Sequence, residues 1–167
     1  MKRDAVSLED LAVLAKAVRK RAHAPYSRFK VGCALLTKSG KVYEGCNVEN
    51  ASFGATICAE RGAVMQMVAG GDREITACAI VVPGNVPATP CGMCRQVLAE
   101  FGADFDMLLI GIGDDGKDVQ ARTRFAKLFP AAFRMSELAN GQKAQKAARA
   151  AKAAKASTLG KPAKTKR

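Results

Sequence analysis

Tryptophan is absent from this 167-residue chain, histidine occurs once, and aromatic residues make up only 5%. With His23 alone, no histidine-based metal site can be assembled. No uninterrupted apolar stretch approaches the roughly 18 to 20 residues that a bilayer-spanning helix needs, so a helical membrane span is excluded. Asp4, Glu9 and Asp10 interrupt the N-terminal stretch where a secretory signal would be apolar, and a cytoplasmic location is expected. The first 139 residues also lack a basic stripe interleaved with aromatics, the usual footprint of a nucleic-acid reader. Acidic residues are missing altogether from residues 140–167, which hold nine basic ones.

What is present is globular in composition, with 49% apolar and 25% charged residues and a length suited to one domain. The net charge of +12 is unevenly placed, +3 on residues 1–139 and +9 on residues 140–167. That terminal stretch has no aromatic residue and one Leu, too little apolar surface to offset the entropy of ordering it. A catalytic-sized domain over 1–139 and a disordered basic tail over 140–167 are therefore expected, with the boundary near Asn140-Gly141. Lys143, Lys146, Arg149, Lys152 and Lys155 recur every three residues. On a helix each such step turns 300°, so the charges drift around the axis and form no amphipathic face. A diffuse polycation of this kind attracts phosphates in a salt-dependent way without reading bases.

Hydropathy patterning gives a mixed α/β order. Ser7 with Asp10 three residues on resembles a capping arrangement, and Leu8, Leu11, Leu14, Ala15 and Val18 predict a helix over 7–22 that Pro25 cannot continue. Residues 29–37 and 42–48 are β-rich around the turn Lys38–Lys41, and a second helix over 58–69 ends at Gly70-Gly71. Residues 75–82 and 107–112 are continuous apolar runs with a helical segment, 91–101, between them. Fully apolar strands joined through a helix suggest a parallel pair covered on both faces. A short strand near 118–122 and a helix over 126–133 broken by Pro130 complete a mixed sheet of about five strands between helices.

Six cysteines without a secretory signal point to thiols in a reducing compartment. Cys58 precedes Glu60 by two residues, and Pro90-Cys91-x-x-Cys94 follows 33 residues after Cys58. Both groups fall at predicted helix starts, where free N–H groups and the helix dipole favour thiolates. Three sulfur ligands leave one tetrahedral position of Zn²⁺ open, the mark of a catalytic site in which the metal acidifies water. Glu60 is then placed to shuttle protons and not to ligate. Three thiolates overcompensate a dication, and either Arg61 or Arg95 could offset the excess by hydrogen bonding to sulfur. Cys33, Cys46 and Cys78 show no second metal pattern and are expected to be core thiols, and His23 a structural residue.

Four blocks in order, Pro25-Tyr26-Ser27-x-Phe29-x-Val31-Gly32, Gly45-Cys46-Asn47-Val48-Glu49-Asn50-Ala51, Cys58-Ala59-Glu60-Arg61 and Pro90-Cys91-Gly92-x-Cys94-Arg95-Gln96, resemble the small, homotetrameric, all-cysteine cytidine deaminases. C-x-E with a later P-C-x-x-C is the all-cysteine form of the zinc deaminase signature. The resemblance spans about 7–134. It implies a three-layer α/β/α fold, one Zn²⁺ per chain, and hydrolysis of cytidine and deoxycytidine to uridine and deoxyuridine. It further implies a tetramer whose active sites borrow residues from neighbours. By position, Asn47 and Glu49 match the pair that binds the nucleoside sugar, Phe29 an aromatic lining the pyrimidine pocket, and Ala59 a backbone contact to the base. Phe133 matches a C-terminal aromatic that closes a site from another subunit, and Arg61 the thiolate-bonding arginine. Phe53, Cys33 and Thr89 depart from the usual Tyr, Ala and Ser. A rival reading is a deaminase or binding protein acting on single-stranded nucleic acid through the basic tail, although Asn47 and Glu49 suit free sugar hydroxyls. A zinc-stabilised scaffold is a third, against which Glu60 argues.

Overall fold

The computed structural model describes residues 5–135 and 142–150. The first helix, α1 (Leu8–Arg19), starts at a capping box: the Ser7 hydroxyl accepts from Asp10 N at 3.1 Å while Asp10 Oδ2 accepts from Ser7 N at 2.9 Å. It is shorter than the 7–22 expected, because the chain tightens after Arg19: Arg21 N donates to Val18 O and Ala22 N to Arg19 O, carbonyls three residues back, so residues 20–22 continue as 3₁₀-type turns. The hairpin follows as β1 (Gly32–Thr37) and β2 (Val42–Cys46), joined by a turn in which Gly40 adopts φ 81°. Residues 29–31, expected as strand, peel away from β1. The reason is side-chain competition: Asn47 Oδ1 accepts from Val31 N at 2.8 Å and its Nδ2 donates to Phe29 O at 2.9 Å, taking backbone groups a strand partner would use.

A 3₁₀ turn at Phe53–Ala55 leads into α2 (Ala59–Ala69), followed by β3 (Ile75–Pro83), α3 (Gly92–Phe101), β4 (Asp106–Ile112), β5 (Asp118–Arg124) and α4 (Phe125–Leu128). The five strands form one sheet in the order β2-β1-β3-β4-β5. Only β3 and β4 run parallel, as their uninterrupted apolar character and the crossover helix α3 require. Sheet faces alternate residue by residue. Ala34, Ala79, Val81 and Leu108 meet Leu11 and Ala15 of α1, whereas Leu35, Cys78, Ile80 and Leu109 join Ala63, Met67 and Leu98 from α2 and α3 on the opposite face. The result is a three-layer α/β/α arrangement. Phe105 stacks on Phe125 with ring centroids 4.6 Å apart, and α4 ends at Leu128, ahead of Pro130.

The chain divides into two units, Met1–Ala132 and Phe133–Arg167, earlier than the composition shift near Asn140. Within the stretch expected to be disordered, residues 142–150 are helical and exposed throughout. They consist of Ala, Lys, Gln and Arg, whose intrinsic propensity favours helix without any packing. The remainder of the expected tail lies outside the described residues. Among the described residues no helix is long and apolar enough to cross a membrane.

One glycine bears directly on the layer that carries the chemistry. A Cβ on Gly45 would sit 2.3 Å from both Ala59 O and Ala63 N, so the bare backbone of β2 is what lets the first turns of α2 lie against the sheet. Gly45→Ala is expected to cost about 1–3 kcal/mol in denaturant unfolding and to lower bound zinc, because it displaces the start of α2. Gly54→Ala, whose Cβ would meet nothing within 4 Å, serves as the control and should alter neither quantity.

Candidate active site

The second and third helices begin at cysteines. Cys58 is the N-cap of α2, Cys91 the N-cap of α3, and Cys94 lies in the first turn of α3, fully buried. At both N-caps the backbone is extended and the sulfur makes no capping hydrogen bond within its own helix, which leaves it available at the helix end. The three sulfurs lie within 4.8 Å of one another, and Cys58 Sγ is 3.9 Å from Cys91 Sγ. Tetrahedral zinc with bonds near 2.3 Å holds its sulfurs about 3.8 Å apart, so the spacing fits that ion.

Electrostatics lead to the same conclusion. The hydrogen bond from Cys94 lowers the Cys58 thiol to about 5, with further help from Arg61 and Cys91, while the same contact, burial and nearby charges push the Cys94 thiol well above its ordinary value. Three thiols this close cannot all ionise without a cation, and a divalent ion supplies the missing charge. Arg61 and Arg95, equivalent by spacing, are separated by the structure. Arg61 Nη2 donates to Thr56 O at 2.7 Å and to Cys58 Sγ at 3.8 Å. Arg95 instead donates to Pro90 O, Thr89 Oγ1 and Leu128 O, bracing the turn that leads into Cys91, so of the two arginines expected as alternatives Arg61 is the one at sulfur. Its guanidinium fork is spent on backbone and hydroxyl oxygens.

Glu60, the second residue of α2, is 5% exposed. Burial raises its carboxyl above the usual range, and the Cys58 charge adds to the effect. It borders a cavity of about 410 Å³, as do Cys58, Cys91, Ala59, Phe29, Asn47 and Glu49. Val31, Ile80 and Val82 supply apolar wall. The structure thus brings together all the expected site residues of the first unit around one cavity, with Cys94 behind Cys58 and Arg61 against its sulfur. Phe133 belongs to the second unit and is exposed.

Asn47 and Glu49 are not bare ligands waiting for substrate. Asn47 is buried, bound through both ends of its amide to the backbone of Phe29 and Val31, which leaves one N–H and one acceptor site free. Glu49 Oε2 accepts from Tyr26 N at 2.9 Å and from Ser27 N at 3.2 Å, and its Oε1 accepts from the Ser27 hydroxyl. The Ser27 hydrogen bond is the main influence holding the Glu49 carboxyl below its usual value. His23 reaches the same strand end through its backbone, His23 N donating to Asn47 O and Glu49 N to His23 O. Cys33 and Cys78 are buried neighbours, whereas Cys46, expected in the core, is partly exposed at the end of β2. Sequence reasoning passed over Ser27 and Thr56. The Tyr26-Ser27 block was visible, but a serine in a loop carries no signal until its partner across the chain is known.

The model of the cytidine and deoxycytidylate deaminase zinc-binding region matches residues 6–108. The chain belongs to this deaminase family. It is 40% identical over 135 residues to a cytidine deaminase of Sporosarcina psychrophila, covering 80% of this chain and 96% of that protein. It is 43% identical over 117 residues to a cytidine deaminase of Mycobacterium tuberculosis, covering 70% and 82% respectively. The crystal structure of cytidine deaminase from Burkholderia pseudomallei superposes with a TM-score of 0.69 at 44% identity, over 77% of this chain and all of that one. As a member of a zinc-binding deaminase family, the protein has in Cys58, Cys91 and Cys94 the one such group among the described residues that could hold the ion. Cys91→Ala is expected to reduce zinc from one per chain to a small fraction when measured by metal analysis after dialysis, with Cys46→Ala retaining it.

Proposed function

We propose that this protein is a zinc-dependent cytidine deaminase that hydrolyses cytidine and deoxycytidine to uridine and deoxyuridine with release of ammonia. The observation that carries this reading is a buried carboxylate, Glu60, beside three converging sulfurs at a cavity of about 410 Å³. Cys58, Cys91 and Cys94 hold the ion in this reading, and Arg61 offsets the excess charge of the sulfurs. Zinc, when bound, supplies a Lewis acid that lowers the pKa of water from 15.7 toward about 7.

The remaining work falls to the chain. Asn47 and Glu49 anchor the sugar, Phe29 lines the ring's site, and the Ala59 backbone meets the polar edge of the base, so attack on C4 becomes effectively intramolecular. Glu60 takes one proton of the attacking water and delivers it to N3, then takes the remaining hydroxyl proton of the C4 adduct and passes it to the departing amine as the C4–N4 bond breaks, leaving the C4 carbonyl and ammonia. A carboxyl raised by burial is suited to both directions of transfer. Among the described residues lining the cavity none is basic, while Glu49 and Glu60 are acidic. A 5′-phosphate would meet carboxylates with no counter-charge, which favours the free nucleoside over the nucleotide.

Assembly as a cytoplasmic homotetramer is part of the proposal. Tyr26 and Phe53 stand exposed near the cavity with ring centroids 6.1 Å apart, apolar surface suited to a second subunit, and Phe133 would close a neighbour's site. The basic stretch 140–167, with nine cationic and no acidic residues, makes non-specific contacts with nucleic-acid phosphates.

Glu60→Ala should leave zinc near one per chain yet lower turnover of cytidine by several orders of magnitude in an ammonia-release assay, and cytidine 5′-phosphate should be turned over far more slowly than cytidine by the unaltered enzyme. Retained turnover would remove Glu60 from the mechanism. Light scattering should give four chains per particle. Deleting residues 140–167 should abolish salt-sensitive retention of RNA on a filter without altering kcat/KM for cytidine.

A further inference from the structure

Glu49 and Phe29 reach the cavity from different segments, and one side chain joins them. The Ser27 hydroxyl donates its single proton to Glu49 Oε1 and accepts from Phe29 N at 2.9 Å. Between them Arg28 adopts φ 58°, a left-handed conformation that a long side chain rarely takes. That reversal returns the Phe29 amide to the Ser27 oxygen. The segment is closed by Arg28 N donating to Ala24 O at 3.1 Å and, on its far side, by Asn47 holding Phe29 O.

The acceptor count on Glu49 gives this bridge its meaning. A carboxylate offers about four lone-pair sites. Tyr26 N, Ser27 N and the Ser27 hydroxyl occupy three of them, leaving one. We propose that Ser27 is a positioning residue for substrate binding: its hydroxyl fixes the Glu49 carboxylate so that the remaining acceptor meets a sugar hydroxyl, and fixes the backbone that carries Phe29 on the base side. Sugar anchor and ring wall are thereby set by one group. Without it, Glu49 keeps only two backbone donors on one oxygen and regains torsional freedom that binding must then remove. The proposal rests on the reading that Glu49 contacts the sugar, as given above.

The test compares zinc-loaded wild type, Ser27→Ala, Ser27→Thr, Glu49→Ala and the Ser27→Ala/Glu49→Ala double variant on cytidine. Ser27→Ala is expected to raise KM about tenfold, the scale of one hydrogen bond to a charged group, with kcat within about twofold and zinc content unchanged. Ser27→Thr keeps the hydroxyl and should stay within about threefold of wild type. In the double variant KM should exceed that of Glu49→Ala alone by clearly less than the rise Ser27→Ala causes by itself, because the share carried through Glu49 is already lost and only the share carried through the Phe29 backbone remains. Losses that multiply in the double variant, a fall in kcat at unchanged KM, or no effect of Ser27→Ala would each overturn the proposal. Glu49→Ala with an unaltered KM overturns it together with the sugar-binding reading. An inactive zinc-loaded wild type overturns the deaminase reading as well, so the failures are told apart.

Discussion

Sulfur atoms held within 4.8 Å of one another repel as anions, and the rest of this molecule is arranged around keeping three of them there. Two helix N-termini face the cluster, so partial positive charge from free N–H groups reaches Cys58, Cys91 and Cys94 from two directions. Arg61 adds a full charge against Cys58. These contributions soften the repulsion without removing it, since its neighbours and burial still push the Cys94 thiol above its ordinary value, and a divalent cation would complete the neutralisation. Glu60 gains its place from the same constraint: two residues beyond Cys58, it is buried against the cluster by the turn of helix that delivers the sulfur.

Holding two helix ends together demands a rigid backing, and the sheet supplies it. The parallel pair β3 and β4, apolar on both faces, forms its centre, with α2 packed over β1 and β2 and α3 beside α2. Close approach at Gly45 brings α2 down onto β2, while Arg95 ties the turn before Cys91 to the end of α4. Hydrogen bonds to backbone carbonyls let one guanidinium join Pro90 and Leu128, positions far apart in the chain. The metal site therefore inherits its precision from core packing and from one half-buried arginine.

The substrate side of the cavity is built differently. It depends on polar side chains that replace strand pairing: Asn47 draws residues 29–31 out of β1, and Glu49 gathers the amides of Tyr26 and Ser27. Groups that match sugar-binding positions by sequence are thus first of all loop-holding groups, with only part of their hydrogen-bonding capacity left for a ligand. Organising the loop and, in the proposed function, contacting the sugar are two uses of the same atoms.

Most elements were legible because their cues are local. The capping box of α1, the apolar runs of β3 and β4, and the glycines that end α2 act over a few residues, and the cysteine blocks with Glu60 carry their spacing in plain view. Helix content at 142–150 was missed because apolar patterning is silent about a segment whose helix comes from propensity alone. By itself the sequence determined the order of elements, the donor set and the carboxylate beside it, since spacing along a helix or strand is covalent geometry. Only the tertiary structure decided which arginine reaches sulfur, where β1 begins, and that Ser27 links Glu49 to Phe29. Each of these depends on which distant backbone group lies within hydrogen-bond reach, a distance the fold sets and local spacing does not encode.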